Sequence, residues 1–375
     1  MKPSRLLRRL DAAIAAATTP IDSACLRAER AGVLARQGQF DRSRHELADL
    51  HRRFDERPQA AVSAWIALAE ALLDFYGDLD LMAVHDRMRR AHALAGAARL
   101  RTLRAQAAAW LAHMEFMQFD AQRLAQHLAE AFRDSAADEH AVRARACLVA
   151  AYSYHYGDGI ARAQPWYARA REHATADGDD ATLSALMHNR AWYLGWQARE
   201  AALFGDDPGA SGAQALLAAE STGHFDAGIG SAGLEWLLPL LRAHLLTLQQ
   251  RYAEALALFD AHADAAERQG WTRSRANIIG DRAWCHWQLG HADAARADTQ
   301  AAEGALADAN EIDERASSHA RLAMLYEVFG DAEAAATHRA AALADRQLLR
   351  LQQARLTALL DETLESCASL GDSER

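Results

Sequence analysis

Seven places in the chain carry one phrase: the end of an apolar helix, a turn, an aromatic or small residue, then a helix with alanine at regular spacing. They read GQFDRSRHEL from Gly38, YGDLDLMAVH around Gly77, MQFDAQRLAQ from Met117, YGDGIARAQP around Gly157, QRYAEALALF from Gln250, GHADAARADT from Gly290 and GDAEAAATHR from Gly330. By subtraction of residue numbers the first four turns lie 39, 40 and 40 residues apart, and the last three 40 and 40. A fixed period of this length implies stacked helical units, because each unit buries its apolar face mainly against its neighbours.

Composition agrees with helices throughout. Alanine, the best helix former, fills 90 of the 375 positions, and only six prolines occur. Hydrophobic residues reach 51%, enough for a continuous core. No long stretch alternates apolar and polar residues, so strands are not expected. In the unit around Gly290 the first helix is expected over about Arg275–Leu289 and the second over about Asp293–Ala307. Glycine ends the first helix because it adopts the left-handed cap conformation at little cost. Ala294, Ala295 and Ala302 let a neighbour approach closely, while Ile279 and Trp284 fill the gaps between units.

The segments LARQGQFDRSRHEL from Leu34, LQQRYAEALALF from Leu248, HWQLGHADAARA from His286 and EVFGDAEAAATH from Glu327 resemble the tetratricopeptide-repeat (TPR) superfamily. They share a turn glycine, absent at Met117 and Gln250, and an aromatic residue or alanine two positions later. A small residue follows five positions after the turn: Ser43, Ala255, Ala295 and Ala335, with Met82 and Gln122 departing. The resemblance covers about residues 24–345. The period exceeds the usual TPR length of about 34 and touches the HEAT range of about 40–47. A TPR-like unit with lengthened helices fits better, because the turn sits between paired helices and the first helix carries no recurring proline. The resemblance implies an all-α, right-handed superhelical solenoid of about eight antiparallel helix pairs plus a C-terminal capping helix.

The expected divisions are N-terminal repeats over 1–204, an irregular glycine-rich insertion or joint over 205–233, C-terminal repeats over 234–339, and a capping helix and tail over 340–375. The joint is read from GDDPGASG at Gly205 and GHFDAGIGSAG ending at Gly233. In the last segment Leu349, Leu356, Leu360 and Leu364 share one face. A cap with a polar outer side is the first reading of that helix. A homodimer seam through it is the second.

The formal charge is 41 − 51 = −10, which disfavours nucleic acid as a partner. Residues 1–60 hold 12 basic and 8 acidic side chains, so the remainder nets −14. A basic end of this kind is a solvated helix surface or a contact for an acidic partner. Lys2 is the only lysine, which is read as GC-rich coding, expected of a bacterial protein. Cys25, Cys147, Cys285 and Cys367 lie far apart with no CxxC, as expected of reduced, buried thiols. The N-terminal MKPSRLLRRLDAAIAAATTP superficially resembles a signal peptide, but Asp11 interrupts a short apolar run, and Asp22 stands where a lipoprotein signal wants leucine. No window is expected to reach the roughly 18 apolar residues of a membrane helix. A cytoplasmic protein with no membrane partner is therefore expected.

Signs of catalysis or of a cofactor are weak. Gly228, Gly230 and Gly233 match GxGxxG formally, but the dinucleotide motif needs a preceding strand and helices are expected here. In HELADLH, Asp49 stands where a zinc-binding HExxH wants its second histidine, and His51 turns away. No serine-hydrolase, phosphate-loop or Cys–His signature occurs. No enzyme, cofactor or metal is expected.

The aromatic residues point to binding. Trp192 and Trp196 stand at i and i+4, as do Gly280 and Trp284, with Trp287 one turn further; Tyr152, Tyr154 and Tyr156 crowd the end of another first helix. In TPR-like arrays the first helix lines the concave wall. The family's register, taken from the turn glycines, puts Tyr154, Asn277, Asp281, Trp284, Trp287 and Arg321 toward that groove. His188 follows from its place in MHNRAWYLGW, which echoes GDRAWCHWQL near Asp281. Tryptophan, tyrosine and arginine dominate binding hot spots, although aromatic residues at helical spacing also build cores. The expectation is a non-catalytic scaffold binding a peptide or protein segment. The alternative is a bacterial sensor or regulator whose repeats bind a small molecule or signal peptide.

Overall fold

A computed structural model describes residues 4–77, 81–206, 211–230, 235–269, 271–309 and 311–372. Among them no strand occurs. The helices in chain order are α1 (Arg5–Ala16), α2 (Pro20–Arg36), α3 (Phe40–Phe54), α4 (Ala60–Gly77), α5 (Leu81–Ala97), α6 (Arg101–Met117), α7 (Ala121–Arg133), α8 (His140–Asp158) and α9 (Ile160–Asp177). They continue with α10 (Asp180–Leu203), α11 (Ser211–Ile229), α12 (Leu237–Leu248), α13 (Tyr252–Arg268), α14 (Arg275–Gln288), α15 (Ala292–Ala305), α16 (Ile312–Phe329) and α17 (Ala332–Asp372). The helices expected around Gly290 are α14 and α15, within two residues at each end.

The chain forms two compact units. One comprises Met1–Leu186, His224–Leu234 and Ala354–Arg375; the other comprises Met187–Gly223 and Glu235–Gln353. In the first unit α2, α4, α6 and α8 touch one another in sequence, and each of α3, α5 and α7 touches its own first helix and the next one. In the second unit α12, α14 and α16 form the same kind of layer, backed by α13 and α15. This is the packing of an all-α helical-repeat solenoid, in which first helices make a continuous wall and second helices lie outside it.

The repeated phrase is legible in the turns, with a shift of register in three of them, and at one of these Gly77 is the last residue of α4. Met117 and Gly157 lie inside the last turns of α6 and α8. The left-handed residues come two positions later, at Phe119 (φ 57°) and Gly159 (φ 90°). Asp120 fixes the first of these by capping α7, its side chain accepting from the Arg123 amide. The second helices then begin at Phe40, Leu81, Ala121 and Ile160, and again at Tyr252, Ala292 and Ala332. The residue three positions into each is Ser43, Val84, Leu124, Ala163, Ala255, Ala295 or Ala335, and every one is buried. Val84 and Leu124 therefore hold the place the sequence pattern assigned to Met82 and Gln122, and Met82 is exposed.

Alanine makes the close packing possible. Ala24, Ala28 and Ala31 of α2 meet Leu47 and Leu50 of α3 and Val62, Ile66 and Ala69 of α4 in one cluster. In the second unit Ala283, Ala302, Leu322 and Leu325 form a core against which Ile279, Trp284 and Phe329 pack. Buried apolar surface of this kind contributes roughly 25 cal/mol per Å².

Three expectations need correction or completion. The glycine-rich stretch 205–233 is mostly helix α11, since its glycines are separated by enough alanine and leucine to sustain helical hydrogen bonding; residues 207–210 and 231–234 lie outside the described residues. Helix α4 is long and apolar enough to span a membrane by length and composition, with a mean hydropathy of 1.3 over 18 residues. Its Val62, Ile66 and Ala69 are packed inside the protein core, which accounts for that apolarity. The C-terminal cap is not a separate helix, because α17 runs without a break from the last repeat turn. Leu349, Leu356, Leu360 and Leu364 are all buried within the chain, while Leu343, Leu348 and Leu351 of the same helix are exposed.

The basic N-terminal segment is internally paired. Arg27 bonds Glu46 at 2.9 Å and Asp49 at 2.8 Å, and Arg30 bonds Glu46 and Asp11, each at 2.6 Å. Cys147 and Cys285 are buried and Cys25 half-buried; Cys367 lies outside the described side chains. Burial pushes the Cys25 and Cys285 thiols up to about 11 and Cys147 to about 12, which keeps them protonated and unreactive.

Candidate functional site

The first helices of the second unit meet around one carboxylate. Asp281, on α14, has no exposed surface. Its Oδ1 accepts from Arg321 Nε at 2.7 Å and from Arg199 Nη2 at 3.1 Å. Its Oδ2 accepts from Arg199 Nε at 2.8 Å and from His244 Nδ1 at 2.6 Å. Burial alone would raise the Asp281 carboxyl, but the charges of Arg199 and Arg321 and the His244 hydrogen bond hold it well below its ordinary range.

The network extends along α14 to α16. Asn277 accepts from Arg199 Nη2 at 2.9 Å and donates to both the side chain and the backbone carbonyl of Glu314. Ser274 Oγ donates to Glu314 Oε1 at 2.7 Å. Two arginines thus face two carboxylates, and His244 completes the shell around Asp281. His244 gives its Nδ1 proton to Asp281, and its ring lies edge-on to Phe259, 5.1 Å between centres. Such a cluster adds little net stability, but removing one member strands a buried charge.

Close helix approach positions these groups. A Cβ at Gly195 would lie 2.7 Å from the Leu241 Cδ1 methyl, so the bare glycine leaves room for Leu241 of α12 against α10. The approach brings Arg199, one turn further along α10, to Asp281. Above the polar floor is a cavity of about 40 Å³, lined by Trp192, Trp196, Leu241 and His244 together with Arg199 and Asn277. Both tryptophans are half-buried, and Trp192 meets Trp271 edge-on at 6.1 Å.

The residues expected in the groove divide into groups. Asn277, Asp281 and Arg321 come together in the network, and Arg321 lies over the Trp284 ring at 5.1 Å. All three are buried; Arg321 bonds Asp281, and Asn277 bonds Arg199 and Glu314, so together they form a hydrogen-bonded floor. Trp284 is half-buried against Leu322 and Leu325 and serves packing as much as display. Trp287 turns to Phe329 at the end of α16, 5.2 Å between ring centres. His188 is half-buried near the start of α10, eleven residues (199 − 188), or about 16 Å along the helix, from Arg199. Tyr154 belongs to the first unit. Its hydroxyl donates to Asp361 at 2.9 Å, its ring stacks on Trp166, and Arg162 covers it. It thereby ties α8 to the end of α17.

Arg199, His244, Ser274 and Glu314 are absent from the sequence-based set. Their partners lie 37 to 82 residues away, so no local motif marks them. One signal was available: Asp281 and Arg321 each stand eleven residues before the start of a second helix (292 − 281 and 332 − 321). Equivalent positions of adjacent repeats face each other, and opposite charges there predict a pair. Among the described residues, no group of three or more His, Cys, Asp or Glu side chains could hold a metal ion. The GxGxxG match begins at the end of helix α11 and not after a strand, and its last glycine, Gly233, lies outside the described residues.

Paired helices with a continuous first-helix wall define the class, a TPR-like helical-repeat protein. No protein-family model matches the chain, and no curated protein matches it. Among solved structures it is similar to one described as the crystal structure of a Rap protein complexed with competence and sporulation factor. The two are 10% identical with a TM-score of 0.58, over 89% of this chain and 100% of that one. At that identity the likeness shows the fold.

Proposed function

We propose that the chain is a non-catalytic interaction protein that captures a peptide or protein segment on the first-helix wall of its second unit. The observation that carries this reading is the cavity rimmed by Trp192 and Trp196 over the Arg199–Asp281–Arg321–His244 network. Half-exposed tryptophans above a rigid, desolvated polar floor have the composition of a binding hot spot. The floor fixes the spacing of four helices, and the tryptophans and Leu241 supply apolar contact. Trp284 and Trp287 lie further along α14, the helix that carries Asn277 and Asp281, and are the next candidates for contact. The fold shared with the Rap protein, whose structure holds competence and sporulation factor, supports a binding role. A lengthened repeat of about 40 residues, a cytoplasmic location and a bacterial source are parts of this proposal.

The test is selection of peptides from a random displayed library on the full chain, followed by titration of the selected peptides. The Trp192→Ala/Trp196→Ala variant is expected to lose at least tenfold in affinity while its far-ultraviolet circular dichroism is unchanged. Selected peptides that bind this variant as tightly as the parent would contradict the assignment.

A further inference from the structure

In the second unit the front of α17 is held with little apolar surface. Over residues 332–353 its buried apolar side chains are Ala335, Ala342 and Leu349, while Leu343, Leu348 and Leu351 are exposed. Ala342 clusters with Ala320 of α16 and Leu203 of α10. With so little area removed from water, polar links weigh heavily in holding this stretch. Arg315 of α16 bonds Asp345 at 2.8 Å, and Arg346 bonds Glu200 of α10 at 2.9 Å.

A further link is a pair of imidazoles. Nδ1 of His319, on α16, and Nδ1 of His338, on α17, lie 2.8 Å apart. His338 is buried and His319 half-buried. His338 Nε2 faces Glu303 of α15 at 3.2 Å, and Glu303 also accepts from the Tyr326 hydroxyl at 2.6 Å. The Tyr326 ring lies parallel to that of His338, 5.4 Å between centres. An ionised carboxylate only accepts, so His338 keeps its proton on Nε2 and offers Nδ1 to the Nδ1–H of His319.

Two nitrogens this close share one proton. A first added proton is tolerated. His338 becomes the cation and donates to both Glu303 and His319, while His319 carries its own proton on Nε2; the Tyr326 face favours that cation. A second added proton is not tolerated, because both Nδ1 atoms would then be donors with no acceptor between them. Charge sets the same limit. The charged groups acting on the pair are Glu303 of α15, Arg315 of α16 and Asp345 of α17. Arg315 and Asp345 bond each other, as do Arg339 and Glu327 beside the pair, so one carboxylate is left for one imidazolium. Burial and the His338 charge push the His319 ring below its ordinary 6.5.

We propose that the His319–His338 pair is an acid-operated latch. It holds residues 332–353 of α17 on α16 while the pair carries at most one positive charge, and it releases that stretch when both rings are protonated. The released state takes up a proton that the latched state excludes, so latching weakens as pH falls through about 6.5. An imidazole of that ordinary value gives about tenfold more opening at pH 5.5 than at pH 7.5. Release uncovers Ala320 and Met324 of α16 and Leu203 of α10, which pack with Ala342 when the latch is closed.

The test is hydrogen–deuterium exchange of the full chain at pH 7.5 and 5.5, corrected for the intrinsic rate at each pH. Exchange in residues 332–350 is expected to quicken about tenfold at pH 5.5, with α14 unchanged. In His319→Asn the side-chain amide donates to His338 without titrating, and the acceleration is expected to vanish. Should that variant not fold, Glu303→Gln replaces it, since Glu303 is half-exposed. Loss of that counter-charge is expected to give a larger acceleration than the parent's. No acceleration in the parent overturns the proposal, as does a response shared equally by α14. Acceleration that survives in His319→Asn, or stays at the parent's value in Glu303→Gln, overturns it too. The latch takes no group from the tryptophan-rimmed cavity, so its result is independent of the peptide reading.

Discussion

Arg321 donates to Asp281 at 2.7 Å between two residues that hold the same position in successive helix pairs, 40 apart in sequence. The repeat is thus joined along its first-helix wall by charge as well as by apolar packing. Asp281→Asn would leave Arg199 and Arg321 buried without their counter-charge, and a loss on the order of 3–5 kcal/mol is expected in urea unfolding. Pairing it with Arg321→Met should lose clearly less than the sum of the single variants, because the second change removes one of the stranded charges. Strict additivity would show that the pair is not coupled.

Glu29 gives the first unit a pH signature. Its folded carboxyl titrates near 7, against an ordinary value of 4.5, so the folded state holds a proton that the unfolded chain releases. Stability therefore falls as pH rises between about 4.5 and 7, by on the order of 3 kcal/mol, and stays reduced above that range. Glu29→Gln should flatten this slope and be the more stable protein at pH 8. Denaturant midpoints of both proteins measured from pH 5 to 8 test this, and parallel curves would refute it.

Gln250 closes a repeat turn at φ 62°, where other turns use glycine. A side chain in the left-handed region costs roughly 1 kcal/mol. Gln250→Gly is expected to raise stability by about that amount in urea unfolding, with unchanged helicity. A destabilised variant would mean that the Gln250 side chain makes a contribution outweighing the strain.

The fold was legible because one turn chemistry recurs. Where a local rule was broken, the reading slipped: Phe119 takes a glycine's place, and the turn was set two residues early. The glycines of 205–233 suggested irregular chain, yet intervening alanine and leucine sustain α11. The site was half legible. Register placed Asn277, Asp281 and Arg321 on the wall, but could not show that they satisfy one another. That depends on Arg199 and His244, which only tertiary packing brings near. The bond from Tyr154 to Asp361 was illegible for a related reason, since the two lie 207 residues apart.

The account rests on the second unit's first-helix wall as the binding surface. Hydrogen–deuterium exchange of the full chain, with and without a library-selected peptide at saturation, measures this directly. Slowed exchange is predicted in α10, α12 and α14 around Trp192, Leu241 and Asn277, with the outer helices α13 and α15 unchanged. Protection confined to the outer helices, or to none of these segments, would contradict it.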